Sequence, residues 1–340
     1  MNESTITEAD KRFFHRNGFL IKENALAPEE IGVLRREADC LLNFLMSENV
    51  DIMKDLGGII EPIPCGYIDP PDSQMYILSK KAYTNIRNRI TEEPDTVVPV
   101  LFGKIPALAR PLFPPETRDN PLCLFNEQYI IKSPKTSSTS SFAWHQDSQY
   151  MDPSAQKTFP IISCWVALDD VTISNGTLLI EPFPKVSTGD PSFAALAENP
   201  LDNIESYLQY FQHLASCYGP EMDRDKAMAE VKAQKLTRGL EGTRHGNLIE
   251  MEKQEYHNDV PQGEGAGEGS RGICRDPYVL VEAPAGSIVF LSGFVRHCSF
   301  GNASSTFRRV FMPQYSIGKV ESEDGGLISL AVPCSDHLHG

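Results

Sequence analysis

The stretch FAWHQDSQYM, residues 142–151, places a histidine and a carboxylate two residues apart, at His145 and Asp147. In a strand or a tight β-turn, residues i and i+2 point to the same side. Both side chains could therefore bind one metal ion, through an imidazole nitrogen and a carboxylate oxygen. A polar turn between two strands explains the pair equally well. The metal hypothesis therefore requires a second histidine from a distant strand.

His297 and Arg308 supply what this hypothesis needs. His297 follows an apolar run and a glycine turn in AGSIVFLSGFVRHCSF, and Arg308 begins RRVFMPQYSI eleven residues later. Two histidines and one carboxylate on one face form the facial triad of non-haem Fe(II) oxygenases. An arginine at this place can bind a dicarboxylate through two parallel hydrogen bonds. Its neighbour Arg309 points the other way in a strand and is the weaker candidate.

A second His-x-Asp pair, His257 and Asp259 in YHND, competes with the first. No apolar strand lies beside it, and a glycine- and glutamate-rich stretch follows at 262–272. We expect this pair in a solvated lid or at a substrate contact rather than at a metal. Of the other histidines, His213 is expected in packing or at the surface of a helix and His245 in a polar loop. His337 and His339 are expected in a disordered polar tail.

Five segments have the composition of strands, being apolar, β-branched or aromatic and interrupted by Asp-Asp, Asn-Gly and Gly. They lie at 122–132, 158–171, 175–183, 278–291 and 308–317. Their turn signals favour antiparallel pairs that close into a sandwich or a barrel. The candidate metal ligands lie within or beside these segments.

The regions around the strands predict helices. Residues 1–121 are mainly helical in pattern, most clearly in APEEIGVLRREADCLLNFLM, whose apolar residues fall on one stripe. Residues 186–276 form a long insert with helical periodicity at 201–219, and such long connections are usually lids or disordered. We predict one domain, with its core at 122–185 and 277–317, an insert that acts as a substrate lid or an oligomer contact, and a tail at 318–340.

Bulk composition excludes several classes of protein. The chain has 340 residues, 41% of them apolar, and a formal charge of −15, which disfavours nucleic acid and anionic membranes as partners. None of its eight cysteines forms a CxxC pair, so a structural zinc site is not expected. The N-terminus shows no secretory h-region, and no apolar run reaches the length of a membrane span. We therefore expect a cytoplasmic protein with reduced thiols.

Four segments together resemble the phytanoyl-CoA dioxygenase family: WHQDSQY, CWVALDDVTISNGTLLIEP, AGSIVFLSGFVRHCSFGN and FRRVFMPQY. The resemblance covers residues 10–185 and 277–317. It implies a mainly β fold with flanking helices, whose core is a double-stranded β-helix (a jelly roll of the cupin type) with a partly helical insert. It also implies Fe(II), 2-oxoglutarate as cosubstrate, and O₂.

The resemblance assigns roles to particular residues. It implies that His145, Asp147 and His297 bind iron, and that Arg308 binds the distal carboxylate of 2-oxoglutarate. Further cosubstrate contacts are implied at Ser299, Trp165, Lys132 and Gln128, and Asn302 lies between His297 and Arg308 as in the family. Three aromatic residues around the motif are expected either to line the substrate pocket or to pack in the core: Phe142, Trp144 and Tyr150.

Two departures from the family pattern are visible. The usual NGxLxxxPGSH is replaced by NGTLLIEPFPKVSTG, so the histidine of that turn is absent. The spacing between His145 and His297 is also unusually long because of the insert. Neither departure affects the iron or cosubstrate set. The carboxylate at Asp147 argues against a halogenase, because halogenating relatives carry a small residue there.

The expected function is oxidation of an unactivated C–H bond in a medium-sized organic molecule, within secondary-metabolite biosynthesis. Hydroxylation is the default outcome, and desaturation, epoxidation, rearrangement or endoperoxidation are outcomes among relatives. The alternatives are a phytanoyl-CoA-like acyl hydroxylase and a non-catalytic jelly roll that binds a ligand. A homodimer through the insert is a further expectation.

Overall fold

The computed structural model describes residues 5–62, 79–87, 97–151, 155, 160–184, 203–229 and 278–334. The competing pair His257 and Asp259 lies outside these ranges. The same holds for the glycine-rich stretch at 262–272 and for His245, His337 and His339.

The described strands form two antiparallel sheets. In the larger sheet the order is β1 (Phe19–Lys22), β8 (Ile288–Ser292), β5 (Ile161–Ala167), β10 (Arg308–Ile317), β3 (Leu122–Lys132) and β11 (Val332–Pro333), and β2 (Ile59–Ile60) also pairs with β3. In the smaller sheet the order is β4 (Phe142–His145), β9 (Arg296–Ser299), β6 (Leu178–Glu181) and β7 (Val279–Leu280). The predicted double-stranded β-helix with flanking helices is confirmed.

The register of the larger sheet decides which side chains face the smaller one. Arg308 on β10 is paired with Lys132 on β3, and Gln314 with Ser163 on β5. Because side chains alternate along a strand, these residues share one face with Trp165, two residues after Ser163. Lys132 on this inner face bonds to Ser299 of the smaller sheet, so the two sheets face each other across the site.

Helices flank the two sheets. They are α1 (Glu8–Asn17), α2 (Pro28–Ser47), α3 (Ile52–Leu56), α4 (Lys80–Arg87), α5 (Ile105–Ala109) and α6 (Ile204–Ser216). The predicted apolar stripe of α2 is buried, including Leu34, Ala38 and Leu41. A capping box at Thr7 begins α1, and Gly18 ends it with φ of 80°, a conformation that favours glycine.

The strand predictions agree closely with the structure. The segment 122–132 is β3 throughout, and 308–317 is β10 throughout. The segment 278–291 is interrupted, because a turn with Gly286 at φ of 88° separates β7 from β8. Strands outside the predicted core extend the larger sheet, since β1 and β2 come from the N-terminal part and β11 from the tail. Among the described residues, no helix is long and apolar enough to cross a bilayer.

Candidate metal centre and cosubstrate pocket

Two strands of the smaller sheet bring the two candidate histidines together. His145 on β4 is the cross-strand partner of His297 on β9, and their ring centroids lie 4.2 Å apart. The next registered pair is Phe142 and Ser299, so β4 has three steps where β9 has two. This irregularity is a β-bulge, which re-aims side chains. It allows Phe142 and His145 to face the interior together although they are three positions apart.

Asp147 completes the set from the 3₁₀ turn Asp147–Tyr150 that follows β4. Its Oδ1 lies 3.7 Å from Nε2 of His145 and 3.8 Å from Nε2 of His297. One ligand atom from each residue lies within 4.8 Å of the others. These separations are too long for hydrogen bonds. They suit a central ion, which holds its ligand atoms roughly 3 to 4 Å apart when each bond is about 2.1 Å.

The outer nitrogen of each imidazole fixes its tautomer. Nδ1 of His145 lies 2.9 Å from the carbonyl oxygen of Ala143, and Nδ1 of His297 lies 3.2 Å from that of Val295. A nitrogen that faces a carbonyl must carry the hydrogen, so each Nε2 presents a lone pair to the centre. Burial, together with the nearby His145, lowers the pKa of His297 to about 4. Two lone pairs and a carboxylate oxygen therefore converge with no donor between them, and a cation fits this donor set.

A polar relay from the larger sheet orients the carboxylate. Ser163 donates to Oδ2 of Asp147 at 2.5 Å, and Gln314 donates to Ser163 at 2.9 Å. Oδ1 is thereby left to face the histidines. Hydrogen-bond partners of this kind orient a metal ligand, and their loss commonly weakens metal binding. Sequence reasoning missed both residues, although polar side chains at inward positions of apolar strands were a usable signal.

Arg308 is almost fully buried, with 1% of its side chain exposed. Its Nη2 donates to the carbonyl of Gly176 at 3.1 Å, and its guanidinium lies 5.6 Å from the ring centroid of Trp165. Its Nε and Nη1 have no hydrogen-bond partner among the described residues. Burial lowers its pKa to about 9. Buried donors without acceptors are unfavourable, so this guanidinium has donors available for an anion such as a carboxylate.

Lys132 places an amine beside Arg308. Its Nζ donates to Ser299 Oγ at 2.7 Å and to the carbonyl oxygen of Phe300, and it lies 5.0 Å from the ring centroid of Phe142. Burial, followed by the charge of Arg308, lowers the pKa of Lys132 to about 5. Within the described residues, no carboxylate forms an ion pair with Lys132 or Arg308. The predicted cosubstrate residues Arg308, Lys132, Ser299 and Trp165 thus meet in one cationic pocket.

Gln128 does not belong to this cationic pocket. It lies four residues before Lys132 on the same face of β3, which is about 13 Å along an extended strand. Its Nε2 donates to Oε1 of Glu61 at 3.5 Å. Glu61 follows Ile60, which is paired with Tyr129, so the register places it opposite Gln128 on the inner face. Burial raises the pKa of Glu61. No sequence signal had singled out Glu61.

The three aromatic residues near the motif have different environments. Phe142 lies over Lys132 in the cationic pocket, and Tyr150 is 76% exposed with its ring 6.0 Å from that of His145. Trp144 points to the opposite side of β4, where it packs with Tyr278 and Cys298 in a separate apolar cluster. Of the two roles expected for Trp144, core packing is the one its contacts match.

Asn302 and Arg309 have structural contacts. Asn302 donates to the carbonyl oxygens of Lys132 and Thr306, which shapes the turn between β9 and β10. Arg309 turns to the outer face, as strand alternation predicts, and pairs there with Asp169 and Asp39. Neither residue has a free polar group directed at the candidate site.

The fold and the site together define the class of 2-oxoglutarate-dependent non-haem iron dioxygenases, which use Fe(II), 2-oxoglutarate and O₂. The family model for phytanoyl-CoA dioxygenase (PhyH) matches residues 14–182, which confirms the predicted family resemblance. The matched range contains His145 and Asp147 and ends before the insert. No curated protein sequence matches the chain.

Solved structures with a similar fold include three proteins of low sequence identity to this chain. The epimerase SnoN from nogalamycin biosynthesis, described as non-heme and alpha ketoglutarate dependent, is 17% identical over 92% of this chain and 81% of its own, with a TM-score of 0.44. EvdO2 from Micromonospora carbonacea var. aurantiaca is 15% identical over 94% and 95%, with a TM-score of 0.46. AviO1 from Streptomyces viridochromogenes Tue57 is 16% identical over 92% and 96%, with a TM-score of 0.44. Likeness at this level carries no argument about substrate.

Proposed function

We propose that this enzyme binds Fe(II) through His145, Asp147 and His297 and 2-oxoglutarate through Arg308. It uses them to oxidise an unactivated C–H bond of a medium-sized organic molecule, with hydroxylation as the default outcome. The expectation of a substrate from secondary metabolism rests on the breadth of the family, and no contact in the site selects it.

One observation carries this proposal: a site that needs a cation adjoins a pocket that needs an anion. The lone pairs of His145 and His297 face a carboxylate oxygen, while Arg308 keeps two donors without a described acceptor. Ser299 links the two halves, because it lies two residues after His297 on the same face of β9 and accepts from Lys132. A dicarboxylate held by Arg308 beside a metal bound by His145, Asp147 and His297 would satisfy both halves at once.

The chain's own residues bind and orient the reactants. Iron, 2-oxoglutarate and O₂, when bound, supply an oxidant able to remove hydrogen from an unactivated C–H bond. Ser163 holds Asp147 so that one carboxylate oxygen faces the metal position. The burial of Arg308 and Trp165 excludes water around the distal carboxylate, which strengthens its pairing with the guanidinium.

The hydrogen-bonded pair Glu61 and Gln128 on the inner face of the larger sheet is proposed to face the substrate. A carboxylate accepts hydrogen bonds and attracts positive charge, so it favours a substrate with hydroxyl or amine groups. It opposes the several phosphates of a CoA thioester, as does the formal charge of −15. These charges support the proposed organic substrate over the acyl-CoA alternative. Tyr150, exposed beside His145, is proposed as an apolar contact at the entrance.

Anaerobic titration with Fe(II) and 2-oxoglutarate tests the proposal. We expect a metal-to-ligand charge-transfer band, and in air a release of succinate that depends on both reagents. His297→Ala should abolish both signals, because it removes one of three metal ligands. His213→Ala, a histidine of α6 outside the site, is the matched control and should retain them. A missing band, or a band that survives His297→Ala, would contradict the proposal and favour the non-catalytic alternative.

A further inference from the structure

A described part of the insert, residues 218–224, lies on the outer face of the smaller sheet, behind the candidate metal ligands. We propose that residues 218–224, here called the anchor, hold β4 and β9 so that His145 and His297 meet at the spacing iron requires. The anchor is thus a positioning device rather than a lid. This inference rests on the proposed function, since it concerns the same metal site.

The anchor contacts β9 at Arg296, the residue next to His297. Arg296 pairs with Glu181 of β6, with Nε 2.7 Å and Nη2 2.5 Å from the same carboxylate oxygen, and both residues are buried. Nη1 of Arg296 donates to the carbonyl of Gly219 at 3.0 Å. Tyr218 adds three contacts: its ring lies 4.6 Å from the guanidinium, its hydroxyl donates to the Glu181 carbonyl at 2.9 Å, and it accepts from the Arg296 amide at 3.2 Å.

The anchor contacts β4 at Trp144, the residue next to His145. The indole nitrogen of Trp144 donates to the carbonyl oxygen of Met222 at 2.7 Å. Nη1 of Arg224 lies 3.4 Å from the carbonyl oxygen of Phe142 and 3.3 Å from that of Ser299, which ties β4 to β9. Ala227 and Met228, just beyond the anchor, pack in the same apolar cluster as Trp144.

The architecture of β4 explains why such an anchor matters. β4 is only four residues long and, among the described strands, lies at the edge of its sheet and pairs with β9 alone. Its register with β9 is also interrupted by the bulge. A short, bulged edge strand is weakly restrained by backbone hydrogen bonds. The contacts of Trp144 and Arg224 therefore supply restraint that the ladder lacks, and a ligand that is not held in place binds metal less tightly.

Two conservative substitutions test the anchor. Tyr218→Phe removes the hydroxyl but keeps the ring over Arg296, and Trp144→Phe removes the bond to Met222 but keeps an aromatic side chain. We expect each to weaken Fe(II) binding roughly tenfold in the anaerobic titration at saturating 2-oxoglutarate. The affinity for 2-oxoglutarate at saturating Fe(II) should change less than twofold, because Arg308 and Lys132 of the cationic pocket lie on the larger sheet.

Tyr207→Phe is the matched control. Tyr207 is buried in α6 of the same insert, and its hydroxyl bonds to the carbonyl of Leu112, away from the smaller sheet. It should lower the thermal midpoint without changing the affinity for Fe(II). The inference is overturned if Tyr218→Phe and Trp144→Phe bind Fe(II) like the wild type, or if Tyr207→Phe weakens binding as much as they do. Absence of the band in the wild type itself would overturn the proposed function and the anchor with it.

Discussion

Strand β3 carries two buried charge clusters, one on each face, and they are built in opposite ways. On the outer face, Arg87 of α4 lies between two carboxylates, 2.6 Å from Glu37 and 2.6 Å from Glu127. The hydroxyl groups of Tyr83 and Tyr129 donate to the same two carboxylates. On the inner face, Lys132 and Arg308 lie side by side without a described carboxylate partner.

The difference separates a structural cluster from a binding site. Burial of a charge is unfavourable unless an opposite charge compensates it. Burial opposes the charge of Arg87, but Glu127 and Glu37 outweigh it and raise its pKa. Burial instead lowers the pKa of both Lys132 and Arg308. The charges of the outer cluster are paired within the chain, whereas the inner cluster has no described carboxylate partner and is suited to an anion from outside.

Removal of the outer arginine should have the largest effect on stability. Arg87→Met leaves Glu37 and Glu127 buried together without their cation, so we expect a loss of about 3–5 kcal/mol in the free energy of unfolding. Urea unfolding followed by circular dichroism measures it. Arg308→Met is the matched control and should lose far less, because it leaves no carboxylate unpaired. Equal losses in the two variants would mean that the clusters do not differ in the way their contacts indicate.

For ligand binding, in contrast to stability, removal of the inner arginine should have the larger effect. Arg308→Ala removes the bidentate partner of the distal carboxylate, so we expect 2-oxoglutarate to bind at least about 100-fold more weakly, or roughly 2.7 kcal/mol. The charge-transfer band titrated with 2-oxoglutarate at saturating Fe(II) reports this affinity. Arg309→Ala removes a cation one residue away that pairs with Asp169 and Asp39 on the outer face. Arg309→Ala should leave the affinity for 2-oxoglutarate nearly unchanged. A comparable loss in this control would mean that Arg308 contributes only its positive charge and no specific contact.

The sequence predicted the inner cluster better than the outer one. The order of His145, Asp147, His297 and Arg308 was readable because each residue lies in or beside a strand of clear pattern. Strand alternation also predicted that Arg309 turns away from Arg308. The same alternation places Lys132 opposite Arg308 once the register is known.

What the sequence could not supply depends on contacts between distant segments. Arg87, Glu37 and Glu127 come from α4, α2 and β3, and no motif links them. The bulge in β4 and the position of Glu61 opposite Gln128 follow from register, which side-chain pattern alone does not determine. The anchor depends on which face of the smaller sheet receives the insert, and helical periodicity at 201–219 predicted a helix without its partner.

The smallest effect concerns a proton at Lys132, and it tests whether the inner cluster awaits an anion. With its pKa near 5, the amine is mostly neutral at pH 7.5 in the free site, beside the cationic Arg308. A bound dicarboxylate favours the charged amine and raises this pKa, so binding should take up a proton. The protonated amine binds better, and affinity should therefore fall as pH rises above about 5, by at most roughly tenfold per pH unit. Calorimetry of 2-oxoglutarate binding to the Fe(II)-loaded protein, in two buffers with different ionisation heats, measures the uptake. Lys132→Met should abolish it, and uptake that persists in this variant would assign the proton to another group.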